Sequence, residues 1–417
     1  MENYIECLGA SSEVGRSAFL LKTDKKIMND YGVKLFDESG EPKYPIHTHS
    51  QIDAVILSHA HMDHSGALPL LYKHSNLRWF GTPPTKDIAD ILWQDSMKIQ
   101  AEKSPYSHAH YKKALRNFHP FAYGENRQFG ETRVRMMDAG HIAGSAMVEY
   151  QYKDKVILYT GDFKIESQEM QHGAKYPKNA DILMIESTYA RKDHPPRKET
   201  EHAFMDELEM TIEEGGNVLL PAFALGRTQE LISVIRKYNR EIPVFVDGMG
   251  RKVADVYLKY GSYIKDVEKF RKQVRSVNMI KSNEDRGKVL DEPSVVVTTA
   301  GMLNGGPAMR YLLEMNNKSK VVFTGFCVKD TNGWKLQNQG FVTVDEQDMY
   351  VDLPIKYFDF SAHAGRSEIL EFIKRTNPEK VILVHGDNPQ DFASELSEEY
   401  GFDAVSPKVG DKIEIKF

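Results

Sequence analysis

Short apolar runs recur along the chain, and several of them end on a residue that can bind a metal or move a proton. Ala54-Val55-Ile56-Leu57 reads as a buried strand and runs into Ser58-His59-Ala60-His61-Met62-Asp63-His64-Ser65-Gly66. Val134 to Ala139 leads to His141, Val156 to Gly161 leads to Asp162, Ile182 to Ile185 leads to Glu186, and Val381 to Val384 leads to His385. Unbroken apolar runs of this kind suit strands buried on both faces, as in a parallel sheet. Such strands would set their terminal side chains along one sheet edge, so His59, His141, Asp162, Glu186 and His385 are expected to converge. Upstream, Ile5 to Leu21 reads as strand, polar turn, strand. Lys26 to Gly32 reads as a third short strand with Asp30 at its end. Gly66 to Leu71 reads as a helix leaving the histidine loop. Thr85 to Leu115 reads as helical, with Ile88, Ile91, Leu92 and Asp95 at helical spacing.

The pattern changes between Arg191 and about Asp352. Phe204, Leu208 and Ile212 mark an amphipathic helix stopped by Gly215-Gly216. Strands are expected at Asn217–Phe223, Pro243–Asp247, Val295–Thr299 and Val321–Thr324, with helices from Arg227, Met249 and Pro307 between them. Strands alternating with helices imply a second α/β domain with a parallel sheet. It lies between Glu186 and His385, so it is inserted in the first domain. The expected division is 1–191 and 352–417 for the two parts of the first domain and 192–351 for the insertion.

Composition narrows the class. The 417 residues leave room for two or three domains, with 41% hydrophobic and 27% charged residues. No apolar run reaches the ~20 residues needed to cross a bilayer. The start, Met1-Glu2-Asn3-Tyr4, has neither a basic nor an apolar leader segment, which points to the cytoplasm. Cys7 and Cys327 sit in or beside apolar segments and are expected as buried free thiols, not metal ligands. The net charge of −6 argues against a protein that coats polyanions non-specifically. A nucleic-acid enzyme remains allowed, since bound metals and local Lys and Arg can hold a phosphate chain.

The histidine loop carries the chemistry. Imidazole and carboxylate suit zinc and similar divalent ions. Four such side chains within His59–His64 are too many for one ion, and they separate into two pairs: His59 with His61, and Asp63 with His64. His141 completes the first set and His385 the second, while Asp162 has two oxygens with which to bridge. Paired ions would clamp a phosphate and supply a bridging hydroxide near neutral pH. His363, in Phe360-Ser361-Ala362-His363-Ala364-Gly365, is left over as the acid for the leaving group, with Glu186 to orient it. Two glycine turns, one at Gly226-Arg227 and one containing Gly305-Gly306, open helices and could hold phosphate there, or could simply cap those helices. His47 and His49 are expected at the surface. His108, His110 and His119 could line a groove or sit at surface or cap positions. No Walker A or G-x-G-x-x-G pattern points to a nucleotide cofactor.

With these residues assembled, the chain resembles the metallo-β-lactamase-fold nucleases of the β-CASP family. His59-Ala60-His61-Met62-Asp63-His64 matches the H-x-H-x-D-H signature, Asp30 the acidic residue before it, and His141 and Asp162 the next two metal motifs. Glu186, His363 and His385 match the three motifs particular to the β-CASP group. The first motif alone would allow glyoxalase II or a lactamase; the insertion and the last three motifs are far more specific. Ser361-Ala362-His363-Ala364 and Val384-His385-Gly386 are similar to the endonuclease subunit of the cleavage and polyadenylation specificity factor and its archaeal and bacterial relatives, in a short form without KH domains. The resemblance implies an αββα sandwich with an inserted Rossmann-like β-CASP domain and two zinc ions. It implies single-stranded RNA in a cleft between the domains, His363 as acid or phosphate contact, and Asp30 bound to a metal-ligand histidine. Homodimerisation and work in an RNA-processing or decay complex also belong to it. Asn29 departs from the family, which usually has an apolar residue there.

The expected activity is a zinc-dependent ribonuclease, mainly endonucleolytic. A 5′-to-3′ exonuclease of RNase J type uses the same ligands and stays open. So does DNA as substrate. A non-catalytic RNA-binding scaffold would be expected to have lost ligands, and all seven are present. A small-ester hydrolase does not account for the insertion or for His363.

Overall fold

The computed structural model describes residues 2–35 and 41–416, which divide into two compact units. The first comprises the chain up to Ser167, Gln171–Asp193 and everything from Ala362. It holds two seven-stranded sheets. One runs Lys412–Ile415, Asn3–Gly9, Ala18–Lys22, Lys26–Asn29, Ala54–Ile56, Arg78–Gly81, Phe118–Pro120 in spatial order. The other runs Asp403–Val405, Lys380–Val384, Ile182–Glu186, Lys155–Tyr159, Ala146–Tyr152, Thr132–Asp138, Asn126–Phe129. The period-two alternation of a strand sends side chains to opposite faces. Ile5, Cys7, Phe19 and Ile56 of the first sheet thus meet Val148, Ile157, Met184 and Ile382 of the second in one buried core.

The outer faces are covered by helices. Leu158, Leu183 and Leu383 pack on Phe372 and Ile373 of helix Arg366–Thr376 and on Leu396 of helix Gln390–Glu398. Trp79 packs on Trp93 of helix Pro83–Gln100, ring centroids 6.0 Å apart. The layers are helix, sheet, sheet, helix: the metallo-β-lactamase arrangement. Strands Lys155–Tyr159, Ile182–Glu186 and Lys380–Val384 are mutually parallel, so their C-terminal ends share one edge. In open α/β sheets that edge is where ligands are bound.

The second unit comprises Gln168–Met170 and His194–Ser361. Its six-stranded sheet is parallel throughout, in the order Asn278–Met279, Val244–Asp247, Val295–Thr298, Val218–Pro221, Lys320–Phe323, Ile355–Tyr357. This is the inserted domain with the Rossmann-like plan that the resemblance implied. The unit runs to Ser361, beyond the division expected after 351, because Ile355–Tyr357 pairs with Val321–Phe323. Helix Val267–Arg275 and the hairpin Phe341–Val344 with Gln347–Tyr350 were not expected. The helix does carry an apolar period, Val267, Phe270 and Val274, set among charged residues.

Two expected helices differ. Thr85–Leu115 is broken into Pro83–Gln100 and His108–Arg116. Pro105 lies between them, with no N–H to continue a helix, and Ser107 then caps the second helix in a reciprocal box with His110. In place of a helix from Gly66, a single turn Met62–Ser65 precedes a 3₁₀ segment Leu68–Lys73. Asp63 and His64 therefore sit on a helical turn, not in a loop.

Candidate metal centre

Four chain segments bring the proposed ligands together at one edge of the first unit, and a fifth adds Glu186. His59 follows strand Ala54–Ile56, and His141 and Asp162 each lie three residues beyond a strand ending at Asp138 and Tyr159. Glu186 is the last residue of its strand, and His385 follows Val384 directly. Asp30 and His385 both have left-handed backbone, φ 59° and 48°. Such conformations are costly for residues other than glycine and gather at functional sites. Gly140, with φ 69°, is confined as well: a Cβ there would stand 2.5 Å from the backbone of Ala174 and Lys164.

Three groups of ligand-type side chains form among the described residues, and the third is Asp162 with Glu186 and His363. His59, His61, His141 and Asp162 make the first, and Asp63, His64 and His385 the second. In the first, His61 Nδ1 lies 3.1 Å from both His59 Nε2 and His141 Nε2. Tetrahedral nitrogens about 2.0–2.1 Å from a zinc ion would be about 3.3 Å apart.

The tautomers follow from the outward bonds. Ser58 Oγ gives its proton to Asp30 Oδ2 at 2.8 Å, so His59 Nδ1–H donates to Ser58 Oγ at 3.0 Å. His141 Nδ1–H donates to the Ala362 carbonyl at 2.9 Å. Both leave Nε2 as the acceptor nitrogen, aimed at His61 Nδ1. Outward bonds of this kind are how metal-binding histidines are held. Burial, then repulsion from nearby rings, holds His59 and His141 well below the ordinary histidine pKa. Burial takes His61 down to about 4. All three are neutral imidazoles, the form that ligates.

The second group is built around carboxylates. His64 Nδ1–H donates to Asp30 Oδ2 at 2.8 Å, and its Nε2 points to Asp162 Oδ1 at 3.2 Å. His385 lies 3.2 Å from Asp63 Oδ2 through Nε2 and 3.1 Å from Asp162 Oδ1 through Nδ1. Burial works against protonating these rings, but the carboxylates outweigh it, raising His64 and bringing His385 to about 10.

Asp162 faces both groups. Its Oδ2 lies 3.5 Å from His59 Nε2, and its Oδ1 faces His64 and His385. Despite those neighbours, Oδ1 is buried without a hydrogen bond of acceptable geometry. A buried anionic oxygen is normally paired or coordinates a metal. Donor types, spacing and this orphaned oxygen fit bound metal.

Asp30 is fully buried and accepts from Ser58 N at 2.7 Å, Ser58 Oγ at 2.8 Å, Tyr159 Oη at 2.7 Å and His64 Nδ1. Its neighbour Asn29, the departure noted in the sequence, is buried and accepts from Tyr150 Oη. Glu186, also fully buried, accepts from Phe163 N at 2.9 Å and meets His363 Nδ1 with both oxygens, at 3.0 and 2.9 Å. These contacts engage Nδ1 and turn Nε2 away from Glu186, and the His363 side chain is 22% exposed. Burial opposes charging this ring, but Glu186 and Asp162 prevail and raise its pKa.

Other expected residues lie elsewhere. Arg227 opens helix Arg227–Tyr238 of the second unit and donates to the Phe360 carbonyl. Gly305 and Gly306 precede helix Pro307–Glu314, and neither helix has a side-chain cap. His47 and His49 are exposed, and His110 is a cap. Cys7 and Cys327 are buried free thiols. Ser58, Tyr159, Lys164 and Glu368, which support the centre, went unread in the sequence. Tyr159 looked like core, and only Ser58, inside the signature, had a positional signal.

Comparison with known proteins identifies the family. Residues 30–220 match the β-lactamase superfamily domain, 228–336 the Beta-Casp domain, and 349–407 the Zn-dependent metallo-hydrolase RNA specificity domain. A probable RNase, MJ4, of Methanocaldococcus jannaschii is 39% identical over 98% of this chain and 99% of its own. The chain belongs to the β-CASP ribonucleases. It is a hydrolytic enzyme of the metallo-β-lactamase superfamily that acts on RNA, related to the factors of cleavage and polyadenylation type. RNase aCSPSF2 of Saccharolobus solfataricus is 35% identical over all of this chain and 86% of its own. Transcription termination factor FttA of Pyrococcus horikoshii is 30% identical over 98% and 70%. A crystal structure of an Enterococcus faecalis protein of unknown function shares the fold at TM-score 0.65 and 13% identity, each chain fully covered. Among the described residues no helix is long and apolar enough to cross a membrane.

Proposed function

We propose that this β-CASP ribonuclease holds two zinc ions and cuts single-stranded RNA at internal phosphodiester bonds. His59, His61 and His141 would hold one ion, Asp63, His64 and His385 the other, and Asp162 would bridge them. Ions so held polarise the phosphate and bring the pKa of a water nucleophile towards neutrality. The observation that supports the reading is that Asp162 faces both ligand groups, Oδ2 towards His59 and Oδ1 towards His64 and His385.

The protein's own part is placement and proton transfer. Asp30, directly and through Ser58, fixes the tautomers of His64 and His59. Glu186 holds the proton on Nδ1 of His363 and supports the charged ring, so that Nε2–H can donate to the departing oxygen of the RNA. Glu186 is therefore a positioning residue and His363 the catalytic acid. Arg227 and the turn at Gly305-Gly306 would hold phosphates of the RNA. Internal cutting is favoured by the likeness of Ser361-Ala362-His363-Ala364 to the polyadenylation endonuclease subunit. Work in the cytoplasm, as a homodimer and in RNA processing or decay, completes the proposal.

The test is a circular single-stranded RNA given to the zinc-loaded protein. A circle has no end to enter, so linear products are the expected result. An intact circle beside a degraded linear RNA carrying a 5′-monophosphate would replace this reading with an end-dependent exonuclease.

A further inference from the structure

The segment after Asp162 contains a buried lysine that the mechanism above does not use. Lys164 has a side chain only 3% exposed. Its Nζ donates to the carbonyl oxygen of His363 at 3.1 Å and lies 3.5 Å from Glu368 Oε2. Its backbone is fixed on both sides, N–H to Ala139 O at 3.0 Å and C=O from Ala174 N at 2.8 Å. An ammonium is costly to bury unless its partners are built in. Here the partners are a peptide carbonyl, the Glu368 carboxylate and, at 3.9 Å, the half-exposed carboxylate of Glu166.

Glu368 joins the same two segments from the other end. Its Oε1 accepts the amides of Ile165 at 3.1 Å and Glu166 at 2.6 Å, and its Oε2 the amide of Gly365 at 3.0 Å. Between these contacts Ala364 N donates to Phe163 O at 2.7 Å, and Phe163 N donates to Glu186. Residues 162–166 and 363–365 are thus fastened at four successive points. The first segment carries Asp162, the second carries His363, and Glu186 touches both. Nothing in this staple reaches the reacting side of His363, which is its Nε2.

We infer that Lys164 and Glu368 are positioning residues that set the imidazole of His363 against Glu186 and Asp162 by clamping the main chain on either side of it. This rests on His363 being the acid. The carbonyl of His363 sits two bonds from the Cα that carries the ring. Its release lets the ring swing on a loop that otherwise ends in a helix N-terminus. A misplacement of about 1 Å in such a group can cost about a hundredfold in rate.

The experiment is a double-mutant cycle on the zinc-loaded enzyme with Lys164→Met, His363→Ala and both, scored by kcat and KM on a single-stranded RNA, by metal content, and by amide exchange. Lys164→Met should lower kcat about ten- to a hundredfold with KM and bound metal unchanged. Peptides spanning 362–366 should exchange faster while the rest of the first unit does not. Lys164→Arg should recover a large part of the loss. In the His363→Ala background, Lys164→Met should change kcat by less than about twofold, because its route is already gone. Equal losses in both backgrounds, loss of metal, or a wild-type kcat beside a damaged His363→Ala enzyme would overturn the staple. A His363→Ala enzyme with wild-type kcat would instead sink the role of His363, and with it any catalytic consequence of the clamp. Should Lys164→Met not fold, Glu368→Gln, at a side chain 22% exposed, carries the same cycle.

Discussion

Removing the carboxylate of Asp30 should strip the centre of metal although Asp30 contributes no ligand atom. In Asp30→Ala, four hydrogen bonds of 2.7–2.8 Å disappear from a fully buried position. Ser58 Oγ–H can turn elsewhere, but the Ser58 amide, the Tyr159 hydroxyl and the His64 Nδ1–H are left without an acceptor. Each orphaned buried donor costs about 1–3 kcal/mol. The sum, softened by any water that enters, is about 3–5 kcal/mol of stability. The effect on metal is separate. His64 loses the bond that keeps its proton on Nδ1, and His59 loses the same constraint at one remove through Ser58. Loss of an outer partner of a ligating histidine lowers metal affinity about 10–100-fold. The ion of Asp63, His64 and His385 should weaken most, and that of His59, His61 and His141 less. Ser58→Ala should weaken mainly the latter. Competition against a chromogenic chelator of known affinity would measure both constants, and thermal unfolding with and without zinc would give the stability change. An Asp30→Ala protein that is destabilised yet binds two ions with wild-type affinity would refute the reasoning, leaving Asp30 as a buried structural carboxylate.

Three further outcomes are expected. His363→Ala should keep both metals and lose about 10²–10⁴-fold in cleavage, the usual worth of a positioned acid, whereas Asp162→Ala should lose metal and activity together; metal analysis of the two variants separates the roles, and metal loss in His363→Ala would contradict them. Burial pushes the thiols of Cys7 and Cys327 up to about 12, so the native protein should resist iodoacetamide at pH 8 and react only after unfolding; prompt labelling of either cysteine would count against its buried state. In the second unit burial raises the carboxyls of Glu169 and Glu201, but Lys269, Lys237 and Arg197 outweigh it and hold both below 4.5. A depressed folded pKa means stability that is complete above the unfolded value and lost as pH falls through the folded one. Acid unfolding followed by circular dichroism should therefore steepen below about pH 4.5, and the Glu169→Gln, Glu201→Gln double variant should show a flatter dependence; an unchanged slope would remove these two groups from the acid response.

Much of the centre was legible before any coordinates, because its chemistry is written into local patterns. A strand buried on both faces needs an unbroken apolar run, and a ligand at its end interrupts that run visibly. His59, Asp162, Glu186 and His385 could all be found this way, and the alternating strands and helices after Arg191 marked an inserted parallel sheet. Local sequence could not show what depends on partners far along the chain. The second unit extends to Ser361 only because Ile355–Tyr357 finds a neighbour at Val321–Phe323, a pairing that leaves no mark in either segment alone. Tyr159 reads as one more core aromatic, and its hydroxyl acquires a role only when Asp30 lies 2.7 Å away. Lys164 and Glu368, about 200 residues apart, look like ordinary surface charges until the fold buries the one and turns the other to face it. Sequence by itself determined which side chains could hold a metal and in what kind of sheet they sit. Tertiary structure decided which nitrogen of each ring faces inward and which neighbour holds it there, because hydrogen-bond geometry is set by contacts between segments and not by spacing within them.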